Sequence, residues 1–269
     1  MNETVHQIRL PAVAGMFYPA DRKTLNHDIQ HYLKLAQASH PALDIKPKAI
    51  IVPHAGYIFS AAIAASAYQY LIPHKHKINR VVLLGPCHRT FFKGLALPAS
   101  DAFNTPLGNI PVDQAAGQLL SGLDQVIISE QAHTDEHSLE VQLPFLQSIL
   151  DHFSLIPLVV GDASQQEVAE VLERLWGDEQ TLIVLSTDLS HYHDYHHAKQ
   201  LDRSTSDAIA NLKPELIGYE DACGRNGLKG VLSIARQKQL SVDILDIRNS
   251  GDTAGDKNRV VGYGAYAIH

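Results

Sequence analysis

Apolar residues in this chain gather in short unbroken runs: Ala49-Ile50-Ile51-Val52, Val81-Val82-Leu83-Leu84, residues 155–160 and Leu182-Ile183-Val184-Leu185. A strand wetted on one face alternates apolar with polar residues, so unbroken runs predict strands covered on both faces, as in a parallel sheet between helices. Between the runs, apolar residues recur at helical spacing. Asp21 stands as an N-cap before Leu25, Ile29, Tyr32, Leu33 and Ala36, a stripe that ends before the His40-Pro41 turn. Further helices are predicted over about 60–71, which is rich in alanine, through Val168, Val171, Leu172 and Leu175, around 201–212, and over about 229–237. Leu139, Val141, Leu143, Leu146, Ile149 and Leu150 predict another helix from Ser138, with Pro144 in its first turns or at a kink. Residues 94–97 read as a short strand, and 101–111 as an irregular stretch around the turn Asn104-Thr105-Pro106-Leu107-Gly108. Residues 242–247 and 260–268 read as two closing strands. Strands alternating with helices predict a three-layer α/β/α sandwich with a mainly parallel or mixed central sheet. No linker separates two independently patterned halves, so 1–269 reads as one domain.

Charge narrows the function classes. The chain carries 22 basic against 29 acidic side chains, a net charge of -7, with no Lys/Arg cluster long enough to track a phosphate backbone, which argues against a nucleic-acid partner. No basic segment followed by an apolar core opens the sequence, and no apolar stretch approaches the ~20 residues of a spanning helix. A soluble, cytoplasmic protein without membrane contact is the expectation. Gly-rich phosphate loops and a Gly-x-Ser-x-Gly elbow are both absent, which disfavours dinucleotide, NTP and serine-hydrolase chemistry.

The chemistry sits where strands stop. His54 follows the first apolar run in Pro53-His54-Ala55-Gly56-Tyr57, and His88 follows the second in Gly85-Pro86-Cys87-His88. Ligands of open α/β sheets bind beyond the carboxyl ends of the strands, so a matched pair of strand-end histidines points to metal ligation. A third ligand is required, and Cys223, Glu220, Asp221, Asp188 and Glu140 are all candidates by residue type. A carboxylate would complete a two-His-one-carboxylate Fe(II) site, whereas a thiolate suits copper, zinc or iron. In Asp135-Glu136-His137-Ser138-Leu139-Glu140, helical spacing would put His137 and Glu140 on one face as an acid/base pair, while Glu136 and Glu140 also read as first-turn acids. In Ser186-Thr187-Asp188-Leu189-Ser190-His191, His191 is the proton-transfer candidate with Asp188 orienting it; His193, His196 and His197 read as solvated, as do His27, His31, His74 and His76. Cys87 and Cys223 lie in glycine-flanked segments and are candidates for chemistry; two cysteines make no disulfide scaffold.

Together with the opening Arg9-Leu10-Pro11-Ala12-Val13-Ala14-Gly15-Met16-Phe17-Tyr18-Pro19 and with Cys223-Gly224-Arg225, these ordered segments give the chain an end-to-end resemblance to the Memo family, called AmmeMemoRadiSam system protein B in bacteria. The family's fold is similar to that of class III extradiol dioxygenases, non-haem Fe(II) enzymes that open catechol rings. The resemblance implies that His54, His88 and Cys223 are the metal ligands, that His137 lines the same pocket, and that His191 is the acid/base histidine. It implies iron or copper, with zinc third in order, and an oxidoreductase in which a thiolate replaces the dioxygenases' Glu and alters metal preference. It implies AMMECR-like and radical-SAM proteins as partners. A second expectation is an adaptor that holds a small molecule, peptide or partner protein in the same pocket without turnover, and a third is a zinc hydrolase with His191 or Glu140 as general base.

Overall fold

The computed structural model describes residues 7–39 and 46–269; the His40-Pro41 turn lies outside the described residues. The first half runs β1 (Ile8–Arg9), α1 (Arg22–Ser39), β2 (Ala49–Val52), α2 (Tyr57–Tyr68), β3 (Arg80–Pro86), β4 (Leu95–Leu97), β5 (Ala102–Thr105), β6 (Gly108–Pro111), α3 (Ala116–Leu119), β7 (Val126–Ile128) and α4 (Glu130–Thr134). The second runs α5 (Leu143–Ile149), β8 (Ser154–Val160), α6 (Gln165–Leu175), β9 (Thr181–Ser186), β10 (His191–His193), α7 (Tyr195–Ala210), α8 (Arg225–Gln237), β11 (Val242–Asn249) and β12 (Val260–Ile268).

The four apolar runs form the middle of a nine-stranded sheet, in the order β2-β9-β3-β8, all parallel. Antiparallel β12 flanks β2 and carries β11 and β10; antiparallel β4 flanks β8 and carries β7. The sheet is therefore mixed. Because side chains alternate across a strand, Ile50, Val52, Val81 and Leu83 join the core under α1, α2 and α5, while Ala49, Ile51, Val82 and Leu84 join the core under α6 and α8. Helices on both faces give the three-layer α/β/α sandwich that the sequence predicts. Packing on the second face is close: a Cβ at Gly230 of α8 would stand 2.3 Å from Val168 of α6. Among the described residues, no helix is long and apolar enough to cross a membrane.

Three local expectations are corrected. Residues 101–111 are not irregular: β5 and β6 form a hairpin that pairs with β1 in a separate three-stranded sheet. The turn chemistry was legible, but the strands beside it are only four residues each, with Phe103, Thr105 and Ile110 turned inward. Residues 138–142 are not α-helical; a 3-10 turn at Glu140–Gln142 leads into α5, which accepts Pro144 in its first turn. Ser138 instead gives its N–H to Glu136 Oε1 and its hydroxyl to the Pro86 carbonyl, bonds that compete with helix continuation. His191, placed by sequence in a loop, lies on β10 beside β12.

Candidate metal centre

β2 and β3 deliver His54 and His88 from either side of β9, whose own end supplies Ser186, Thr187 and Asp188. Cys223 arrives on the loop before α8; there Gly224 is required, since a Cβ would stand 2.7 Å from Thr187. The result is convergence: His54, His88 and Cys223 offer ligand atoms that all lie within 4.8 Å of one another. His54 Nε2 is 3.4 Å from Cys223 Sγ.

The networks behind the two imidazoles decide which nitrogen each presents. Ser186 Oγ donates its single proton to the Ser138 carbonyl (2.6 Å) and accepts from Gln142 Nε2 (2.8 Å). It can therefore only accept from His54 Nδ1–H (2.9 Å), which leaves the lone pair of neutral His54 on Nε2, facing the thiol. The Gln142 amide is oriented in turn, because its oxygen accepts from Tyr68 Oη and its nitrogen donates to the Pro53 carbonyl. His88 Nδ1 donates to Glu136 Oε1 (2.9 Å), leaving Nε2 available. Glu136 also accepts the backbone N–H groups of His88 and Ser138. Burial raises its pKa, but the His88 hydrogen bond and charge with those two N–H groups outweigh burial and bring it down to about 2. An anchored Nδ1–H with a free Nε2 is the usual arrangement of a metal-ligating histidine.

Burial sets the protonation states of these atoms. Burial, with the charges of His88 and His137, holds His54 well below its ordinary pKa, so the imidazole stays neutral. Burial and the nearby Asp188 carboxylate push the Cys223 thiol up to about 12, against hydrogen bonds from Thr187 and the N–H groups of Asp188 and Gly224. A metal ion in place of the thiol proton would relieve that cost. His137 packs over His88 with ring centroids 4.6 Å apart, and among the described residues its buried Nδ1 has no hydrogen-bond partner, lying 3.5 Å from Glu136 Oε1. These residues fit a metal.

Of the other third-ligand candidates, Asp188 lies close, with Oδ2 3.9 Å from His54 Nε2. Its hydrogen bond runs from the His54 N–H to Oδ1 (2.8 Å), so it clamps His54 and is not hydrogen bonded to His191. Burial raises its pKa. Glu220 is exposed and Asp221 caps Gly218. Glu140 is absent from the cavity wall: its carboxylate pairs with Arg9 and accepts from the Ala12 and Val13 N–H groups and from Tyr18 Oη. The expected one-face pairing of His137 with Glu140 fails because no helix spans them.

The donors open onto a cavity of about 650 Å³ that His137, His191, Phe17, Phe59 and Tyr263 help to line. Cys87 is turned elsewhere, its sulfur donating to the Thr90 carbonyl, and with Cys223 it lines a second cavity of about 420 Å³. Sequence reasoning missed Glu136 and Ser186 as partners of the ligands. The requirement that each histidine be oriented through its other nitrogen was the signal available for both.

The family model described as Memo-like protein matches residues 9–267. A MEMO1 family protein of Aquifex aeolicus is 38% identical over 272 residues, covering 96% of this chain and 97% of that protein. One from Thermotoga petrophila is 32% identical, covering 95% and 97%. The crystal structure of an uncharacterized protein from Escherichia coli K12 superposes with a TM-score of 0.56 at 15% identity over 81% of this chain and 98% of that one, a likeness of fold alone. With a family model matching nearly end to end and relatives alike over almost their whole length, this chain belongs to the Memo-like protein family.

Proposed function

We propose that this protein holds iron or copper on His54, His88 and Cys223 and acts as a non-haem metal-dependent oxidoreductase on a small molecule in the adjoining cavity. The observation that carries the reading is the convergence of three donor atoms within 4.8 Å, each imidazole backed through its other nitrogen by Ser186 or Glu136. Two imidazoles and a thiolate suit copper, iron and zinc, and only the first two bring redox chemistry. When bound, such a metal supplies a Lewis-acidic, redox-active centre. The chain's own residues do the rest. Ser186 and Glu136 fix the imidazole orientations, the Asp188 N–H donates to the Cys223 sulfur at 3.3 Å and favours its thiolate, and Phe17, Phe59 and Tyr263 limit water in the cavity. His191, in the wall and half-buried, is the group placed to take or give a proton.

The test is elemental analysis of protein purified without air or chelator, wild type beside a His54→Ala/His88→Ala/Cys223→Ser variant whose fold is checked by circular dichroism. Near-stoichiometric iron or copper in the wild type and its loss in the folded variant are expected. Metal retained by the folded variant, or a wild type that takes up neither metal, would reject the site.

A further inference from the structure

The histidines of the metal centre follow the carboxyl ends of β2 and β3, and a separate cavity of about 670 Å³ lies by the amino end of β8, at the other end of the parallel strands. It shares no wall residue with the cavity beside the metal centre. Three parts of the fold enclose it: the start of α1, the β5–β6 hairpin, and the end of α5 with the loop into β8. Gln147 of α5 ties the hairpin down, its Oε1 accepting from the Thr105 hydroxyl and its Nε2 donating to the Gly108 carbonyl at 3.0 Å. The wall is therefore preorganised.

Arg22 and Lys23 bring two cations to this wall. The first turn of a helix favours acids and disfavours bases, yet α1 opens on these two and has no acid in its first turn. Among the described residues no carboxylate lies within 4.0 Å of the Arg22 or Lys23 nitrogens. The wall's own carboxylate, Asp151, has both oxygens engaged, one by His76 and one by Lys75. Asp21 already caps the helix, accepting from the Thr24 N–H at 2.8 Å, so an anion here rests on the two side chains and not on the helix end. In a chain of net charge -7, an unpaired pair of cations in a concave wall concentrates anions where the rest of the surface repels them.

The remainder of the wall is mixed. Half-buried Phe153 and Leu107 supply apolar surface. Asn26, one turn after Arg22 on the same face of α1, has no hydrogen-bond partner among the described residues. Asn109 accepts from Asn104 through its Oδ1 at 2.6 Å, which leaves its Nδ2 free to donate.

We propose that this cavity binds a nucleoside monophosphate, its phosphate on Arg22 and Lys23 and its base against Phe153. The proposal stands independently of the metal reading. A phosphate monoester carries about two negative charges at neutral pH, which two cations match. A carboxylate would leave one cation unmatched, and a triphosphate would exceed both. The Arg22 guanidinium can meet phosphate oxygens as a planar fork, with Lys23 as a point charge beside it. A base has a flat face for Phe153 and a polar edge for the Asn26 and Asn109 amides. About 670 Å³ lies within the usual range of small-molecule sites.

The experiment is calorimetric titration of the full chain with the 5′-monophosphates of adenosine, guanosine, cytidine and uridine, each beside its nucleoside, and with ribose 5-phosphate and inorganic phosphate. At least one nucleotide is expected to bind roughly 10-fold tighter than its nucleoside and than ribose 5-phosphate. Arg22→Gln/Lys23→Gln should weaken that nucleotide by about 10-fold or more. Both side chains are exposed, and relieving the first turn of two cations should leave the melting temperature unchanged or raised. Phe153→Leu should bring the nucleotide and ribose 5-phosphate within about threefold of each other. The proposal fails if no nucleotide binds, if inorganic phosphate or ribose 5-phosphate binds as tightly as the best nucleotide, or if affinity survives Arg22→Gln/Lys23→Gln. Binding that is lost in the folded His54→Ala/His88→Ala/Cys223→Ser variant would place the nucleotide at the metal centre and overturn it too.

Discussion

Two hydrogen bonds decide what His54 and His88 can do. Without Ser186 and Glu136 each ring would be free to turn or to present its other nitrogen. Glu136 accepts three N–H groups; in Glu136→Gln one carboxylate oxygen becomes an amide donor facing donors. Metal affinity is expected to fall roughly 10- to 100-fold while the protein stays folded, as read by competition with a chelator of known affinity. Unchanged affinity would show that Glu136 has no orienting role. The histidines themselves were legible because proline and glycine break the chain directly after apolar runs. Glu136 was not, because a helical reading of 136–140 cast it as a first-turn acid. The same reading sent Glu140 towards the pocket, when a 3-10 turn carries its carboxylate to Arg9 instead.

At the scale of elements, Glu140 ties the N-terminal segment to the turn before α5. It is fully buried, and its partners Arg9, Ala12, Val13 and Tyr18 all come from the first twenty residues. Removing one member of a buried ion pair leaves the other charge uncompensated, here Arg9, which is 3% exposed. Glu140→Ala should therefore cost about 3–5 kcal/mol of stability in urea denaturation. The fraction that remains folded should carry as much metal per molecule as the wild type. Loss of metal without loss of stability would return Glu140 to the site. Neither the Arg9 pairing nor β1 could be read locally, since a two-residue strand has no period and its partners lie about a hundred residues away. The long helices were plain from their stripes, and their starts differed where polar residues lead: α7 begins at Tyr195 behind the Asp194 cap, well before the apolar residues from Leu201 on.

For the whole molecule, the layers follow from local pattern but the strand order does not. β9 follows β8 in the chain yet inserts between β2 and β3, which is what sets Ser186 and Asp188 between the two histidine loops. Global stability has its own pH signature, and the metal site is only part of it. His133 is buried, with Nε2–H on the Ala96 carbonyl and, among the described residues, no hydrogen-bond partner for Nδ1; burial brings its pKa down to about 4. An unfolded chain protonates this residue near its ordinary value of about 6.5, so between those values the unfolded state binds more protons and stability falls as pH falls. His54 acts with the same sign, and Glu136, lowered to about 2, extends the loss to lower pH. Asp188 and Asp202 oppose it, because burial raises their pKa values and the folded state keeps their protons to higher pH. His133→Gln isolates one contribution, keeping a donor for the Ala96 carbonyl without a group that titrates. Between neutral pH and about pH 5, the wild type should lose about 2 kcal/mol more than the variant in urea denaturation. Parallel losses would mean that His133 takes up its proton in the folded state as readily as in the unfolded chain.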